Sequence, residues 1–387
     1  MELFDALYVI DGASQEDTPR HLLTGDFSQS GIAGETDIEA AYEELPVLSD
    51  ETVDPHLSAW EYRESAIPAY LEKMADYPYP FSLRYPASSA RLALADALAD
   101  TLWLEGHFTY EQLRLSLEWQ WDEKALGALA AFYQSCEALG EYLESLRLDV
   151  DALTHRPAPI CDLLSHFSLP QVANAQAANA PSAEKASAVA PSTRKVPARL
   201  LPQENTWLLY LPLDPCAFAL GGSLLSKICG NAGDGPVEVG DGDYLMDVFE
   251  IVREMVEDGI VLSGVTVARG GLMTALTRWC GRQTEGKTDS PQLGADLDIA
   301  PLMKAYNLSE TDETDRARVL FGEVPAVLLQ VRDEDYDYVD AQCLLQDVAY
   351  YALGHPVVPA GDTVPRISIS HNPTPVLSSL LQALISR

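Results

Sequence analysis

The chain has 387 residues, 47% of them hydrophobic and 22% charged, which is enough for two or three domains with apolar cores. Its formal net charge of −34 repels polyanions, so nucleic-acid and anionic-membrane binding are not expected, and a bound nucleotide would need magnesium or a local basic pocket. No run approaches the roughly 20 apolar residues of a membrane helix, and the six scattered cysteines form neither a CxxC pair nor a zinc pattern.

The opening residues, MELFDALYVIDGASQED, are acidic and lack the basic start of a signal peptide, so a cytoplasmic location is expected. At 22–34, LLTGDFSQSGIAG reads as a strand end entering a Gly/Ser loop, where Asp26 with Ser28 suits an Asx turn as well as a metal loop. A charged, turn-rich stretch follows to about Pro80. The segment 86–106, PASSARLALADALADTLWLEG, predicts a helix capped by Ser88 or Ser89, apolar at Leu92, Ala95, Leu98, Ala99 and Leu102, and ended by Gly106. Asp96 and Asp100 stand at i, i+4 on it, the spacing of two magnesium ligands and equally of a solvated face. Next, 113–121, LRLSLEWQW, alternates as a half-buried strand does, and 123–146 predicts a second helix.

Residues 171–199 are rich in Ala, Ser and Pro and lack apolar periodicity, which marks a flexible connector. The expected domains are therefore 1–170 and 201–387, with 171–200 as the linker. Beyond it, WLLYLPL at 207–213 predicts a strand that leads into LGGSLLSKICG, a Gly-Gly turn opening a helix. Helix 244–259 places Leu245, Val248, Phe249, Val252, Met255 and Val256 on one face, with Asp241 or Asp243 as its cap. Strand 260–267 runs through VLSGVTVARGGLMTAL into helix 271–281. A last unit holds strand 325–331, a helix over 334–354 and a strand at 366–370. Strands alternating with helices in both halves predict an α/β (α+β) protein of two layered domains.

The motifs Gly221-Gly222-Ser223 and Arg269-Gly270-Gly271 each open a helix, as a backbone does where it approaches a phosphate through its N–H groups. Glycines that merely let a strand turn sharply into a helix give the same pattern. No GxSxG elbow or HExxH pair supports independent hydrolase or metalloenzyme chemistry.

Six segments together resemble the second synthase half of the large, single-chain phosphoribosylformylglycinamidine synthases, in the superfamily of aminoimidazole ribonucleotide synthetase. They are LLTGDFSQSG, PFSLRYPASSARLALADALAD, LRLSLEWQW, TWLLYLPL with LGGSLLSKICG, LSGVTVARGGLMTAL and VLFGEVPAVLLQV, in the family's order. The resemblance implies a two-domain aminoimidazole ribonucleotide synthetase-like fold, with nucleotide and substrate in the cleft between domains. It further implies purine-biosynthetic ancestry, magnesium with ATP or ADP as cofactors, and a partner that is either a second copy of this chain or a synthase chain. On that resemblance Gly221, Gly222, Ser223, Arg269, Gly270 and Gly271 are the expected nucleotide-binding residues, and Asp26, Asp96 and Glu323 the expected metal ligands.

Departures fall on the chemistry. Where the family has a histidine and two aspartates before the Gly-Gly pair, this chain has Val265, Thr266 and Arg269, and the family's Gly-Lys-Asp-Ser segment near residue 150 is absent. The expectation is a catalytically degenerate relative with a structural or regulatory role. The alternative is an active ATP-dependent ligase on a formylglycinamide ribonucleotide-like substrate.

Overall fold

The computed structural model describes residues 3–25, 37–44, 81–169, 194–229, 235–281, 293–358 and 367–369. In the first half, β1 (Leu7–Ile10) pairs antiparallel with β2 (Ala13–Ser14) and parallel with β3 (Asp37–Ala40), and α1 (Pro19–Thr24) follows β2. Helix α2 (Pro86–Thr101), strand β4 (Arg114–Trp121), helix α3 (Ala128–Ser145) and strands β5 (Val150–Pro157) and β6 (Asp162–Ser168) complete it. The central β4 pairs parallel with β5 and antiparallel with β6. Its alternation buries Leu115, Leu117, Trp119 and Trp121 on one face. There the rings of Trp119 and Trp121 meet Phe132 of α3 edge to face, at centroid distances of 5.9 and 5.7 Å.

The second half is one six-stranded sheet in the order β12-β9-β11-β7-β10-β8. Its strands are β7 (Thr206–Pro212), β8 (Val261–Val267), β9 (Gly294–Leu297), β10 (Ala326–Arg332), β11 (Tyr351–Val357) and β12 (Ile367–Ile369). Only β12 against β9 is parallel. From Ala326 to Val331 every residue of β10 is buried, because helices or loops cover both faces of the sheet there. Gln330, the polar residue of that run, is fully satisfied: its Nε2 donates to Leu201 O and Thr206 Oγ1, and its Oε1 accepts from Leu201 N. The helices are α4 (Leu224–Cys229), α5 (Gly242–Glu257), α6 (Gly271–Cys280), α7 (Ala300–Ala305), α8 (Glu313–Phe321) and α9 (Tyr336–Leu345). The predicted face of α5 is buried at all six positions, and Asp241 caps it by accepting from Tyr244 N at 3.0 Å.

The two halves meet where α2 lies against β8. Residues 194–200, at the end of the expected connector, are built into that junction. Lys195 N donates to Trp103 O at 2.8 Å, Gly264 N to Pro197 O at 3.2 Å, and Leu200 N to Trp279 O at 2.9 Å.

Several expectations are corrected. Residues 22–24 end a helix rather than a strand, with Thr18 as its cap and Gly25 in the left-handed region (φ 62°). Helix α2 starts with Pro86 at its first turn, so Ser88 and Ser89 lie inside it, and it stops at Thr101, ahead of Gly106. The second predicted helix begins at Ala128, after Gly127 with φ 69°. The helix expected over 334–354 ends at Leu345, and its last residues, from Tyr351 on, are strand β11. The mixed α/β architecture is the one expected.

Candidate functional site

A cavity at the junction of the halves gathers most of the residues singled out from sequence. Asp96, Gly221, Gly222, Ser223, Arg269 and Glu323 line it together with Phe81, Tyr85, Ser88 and Ser89. Its interior holds about 30 Å³, room for a water molecule or two, and it opens in part to solvent. Asp26 lies outside the described residues.

Both glycine turns are shaped by packing. Gly270 and Gly271 adopt φ of 85° and 70°, conformations that side chains resist, and a Cβ on Gly271 would come within 2.8 Å of the Gly322 carbonyl oxygen. Gly222 (φ 75°) lies against the Tyr85 ring, where a Cβ would come within 3.0 Å of its edge. The Ser223 hydroxyl accepts from Ser226 N at 3.2 Å and so caps α4.

One N–H group at each turn already has an anion. Glu323 is buried, at 7% exposure, and its Oε1 accepts from Leu224 N at the start of α4 and from Gly270 N at the start of α6, both at 2.9 Å. One internal carboxylate thus ties the two turns together, in the place and with the charge that helix N-termini favour.

Asp96 behaves differently. Its Oδ1 is shut off from solvent and has no hydrogen-bond partner. Burial pushes its carboxyl well above the usual carboxylate range; Arg269 pulls the other way, while Asp100 and Glu323 add to the rise. Arg269 reaches across the junction to Asp162 at the start of β6, with Nη2 to Oδ1 at 3.4 Å. Asp100 does not turn to the cavity with Asp96. It accepts the Thr266 hydroxyl at 2.7 Å, and that hydroxyl in turn accepts from Trp103 Nε1 at 3.0 Å. Thr266, one of the three replaced positions before the Gly-Gly pair, therefore serves a contact between α2 and β8. Val265 is buried apolar core.

Among the described residues, no group of three His, Cys, Asp or Glu side chains could hold a metal ion. No helix among them is long and apolar enough to cross a membrane. Sequence reasoning missed Asp162 and the aromatic wall of Phe81 and Tyr85. A lone aspartate in a strand carries no local signal that it will meet an arginine 107 positions later.

No family model matches the chain. Its similarity to curated proteins is to phosphoribosylformylglycinamidine synthases. With that of Homo sapiens it is 25% identical over 293 residues, 75% of this chain and 20% of the relative. With that of Drosophila melanogaster it is 24% identical over 279 residues, 70% and 19% of the two chains. The chain spans about a fifth of the length of these relatives. Among solved structures, Thermotoga maritima PurL complexed with ATP overlaps 78% of this chain and 42% of its own, with a TM-score of 0.47 and 13% identity. The ancestry read from the motifs is the one found: the chain is a relative of phosphoribosylformylglycinamidine synthases.

Proposed function

We propose that this chain is a catalytically degenerate synthase relative that serves as a structural or regulatory partner, with nucleotide binding at most vestigial. The observation that carries the reading is that the three replaced positions before Gly270 now serve packing: Val265 is buried, the Thr266 hydroxyl donates to Asp100 at 2.7 Å, and Arg269 pairs with Asp162. Phosphoryl transfer works by positioning the phosphate and offsetting its charge. In this cleft the cation beside the glycine turns is an arginine already paired to Asp162. Gly221, Gly222, Ser223, Arg269, Gly270 and Gly271 are then the frame of an ancestral nucleotide cleft, and Asp96 and Glu323 its surviving acids. Its partner is a second copy of this chain, or a synthase chain that supplies the magnesium and ATP chemistry this one lacks.

The test is phosphate release from ATP in the presence of magnesium, formylglycinamide ribonucleotide and an ammonia source. No release above that of buffer is expected. Release that requires the ribonucleotide and disappears in Asp96→Asn would instead establish the alternative, an active ATP-dependent ligase.

A further inference from the structure

Residues 235–240 run over α2 of the first half just ahead of α5, outside any helix or named strand. Their burial alternates as in an extended chain: Val237 and Val239 are 3% and 1% exposed, while Gly235, Glu238 and Gly240 face solvent. Val237 forms part of the wall of the junction cavity, which it lines together with Ser88, Asp96 and Gly221.

The two ends of this segment are fastened to the second half. Gly221 N donates to Gly235 O at 3.0 Å, and Pro236 forms a single parallel bridge with Gly221. At the other end the buried Asp214 carboxylate accepts from Gly240 N and Asp241 N through Oδ2, both at 2.9 Å, and from Cys216 N through Oδ1. In the middle, side chains of α2 hold the carbonyls: Ser88 Oγ donates to Val237 O at 2.6 Å and Arg91 Nη1 to Val239 O at 3.3 Å. Arg91 is itself positioned by Ala138 O and Glu141 of α3. Lifting the middle therefore breaks two side-chain hydrogen bonds and bares two valines, with no helix or sheet ladder to undo, which is the condition for local opening.

We propose that residues 235–240 are a latched strap: Ser88 and Arg91 hold it down on α2 as one wall of the junction cavity, and it lifts off as a unit while the rest of the fold stays intact. Lifting it widens the way to Asp96 and the Gly221 turn. The proposal goes beyond the degenerate reading and stands apart from it, since it concerns access to the cavity and not the chemistry in it.

The test is labelling of the full-length Val237→Cys protein with excess iodoacetamide in native buffer and at low urea concentrations, with modified positions read by peptide mass spectrometry. The native Cys136 on α3 and Cys280 on α6, 0% and 2% exposed, report global unfolding. The introduced thiol should label at least about tenfold faster than either, and its rate should hardly change with urea, because lifting the strap exposes little surface, whereas theirs should rise steeply. Adding Ser88→Ala should raise the rate of the introduced thiol several-fold, the effect of one lost hydrogen bond on the opening equilibrium. Should Val237→Cys fail to fold, Val239→Cys with and without Arg91→Met reads the same strap from its other latch. An introduced thiol that follows Cys136 and Cys280 at every urea concentration would overturn the proposal, because the strap would then open only with the whole chain. So would a rate that the latch substitution leaves unchanged, or one already equal to that of the denatured chain. Phosphate release from ATP judges the degenerate reading separately.

Discussion

Replacing Arg253 with alanine should lower stability by about 3–5 kcal/mol, as breaking a buried, hydrogen-bonded ion pair does. The side chain of Arg253, on α5 of the second half, is 5% exposed. It projects into the chain that leaves α2 of the first half. Nη1 donates to Leu102 O at 2.9 Å and Leu104 O at 2.7 Å, Nη2 donates to Gly106 O, and Nε pairs with Glu257 at 3.0 Å. The guanidinium also stacks 4.1 Å from the centroid of Phe108. Hydrogen bonds to a charged group contribute about 1.5–3 kcal/mol each, so four would sum to roughly 6–12 kcal/mol. That sum is too large here, because Glu105 and Gly106 are exposed and water can replace the arginine at that end of the loop. The Leu102 carbonyl at the end of α2 is the group left without an equivalent partner, since Glu257 keeps His107. At about 2–4 °C per kcal/mol the melting temperature should fall by roughly 6–20 °C. Arg253→Lys keeps the charge but not the fork, and should lose about half as much. Urea and thermal denaturation of the two variants read both numbers. An Arg253→Ala protein within about 1 kcal/mol of the wild type would refute the view that this arginine pins the halves together.

Glu323→Gln retains an acceptor oxygen for the N–H groups of Leu224 and Gly270, and should cost about 1 kcal/mol in urea unfolding. Glu323→Ala leaves both donors buried without a partner and should cost about 2–5 kcal/mol; equal losses would deny the carboxylate its role as a tie. The carboxyl of Asp96 titrates above its unfolded value, so the folded state keeps a proton that the unfolded state releases, and stability falls as pH rises from the ordinary carboxylate range toward the folded pKa. Asp96→Asn removes that slope: its melting temperature relative to the wild type should climb between about pH 4 and pH 7, and a constant difference across that range would show that Asp96 is ionised throughout. At Gly264 of β8 an added methyl would run into the Trp103 ring, which is fully buried and held at Nε1 by Thr266. Gly264→Ala should therefore destabilise by about 1–3 kcal/mol, measured by the same denaturant midpoint.

Where the chain's signals are local, the sequence and the structure agree. The apolar face of α5, the strands β7, β8 and β10 and the Asp241 cap follow from periodicity and capping chemistry alone. The errors have local causes too. Helix α9 ends without a glycine, because Asp347 adopts the left-handed conformation (φ 55°) that glycine usually supplies. Gly354, which resembles a helix stop, sits within β11 and packs against the Asp296 carbonyl. Strands β5 and β6 carry Asp151, Thr154, His155, Arg156 and His166, so their alternation is polar and escaped notice. The site was legible as a set of residues, since Asp96, the two glycine turns, Arg269 and Glu323 meet at one junction. Its chemistry was not. That the carboxylate of Glu323 fills both turns, and that Arg269 answers Asp162, depends on contacts of 53 and 107 positions' separation that no periodicity encodes.

The most direct measurement is thermal unfolding of the wild-type chain with magnesium plus millimolar ADP or ATP, against magnesium alone. A ligand at a hundred times its dissociation constant adds about 2.7 kcal/mol, a shift of several degrees. With Val265 and Thr266 committed to packing and Arg269 to Asp162, no shift beyond the magnesium control is expected. A nucleotide-dependent rise that vanishes in Asp96→Ala would contradict this, and would show that phosphates still find a place in the cleft.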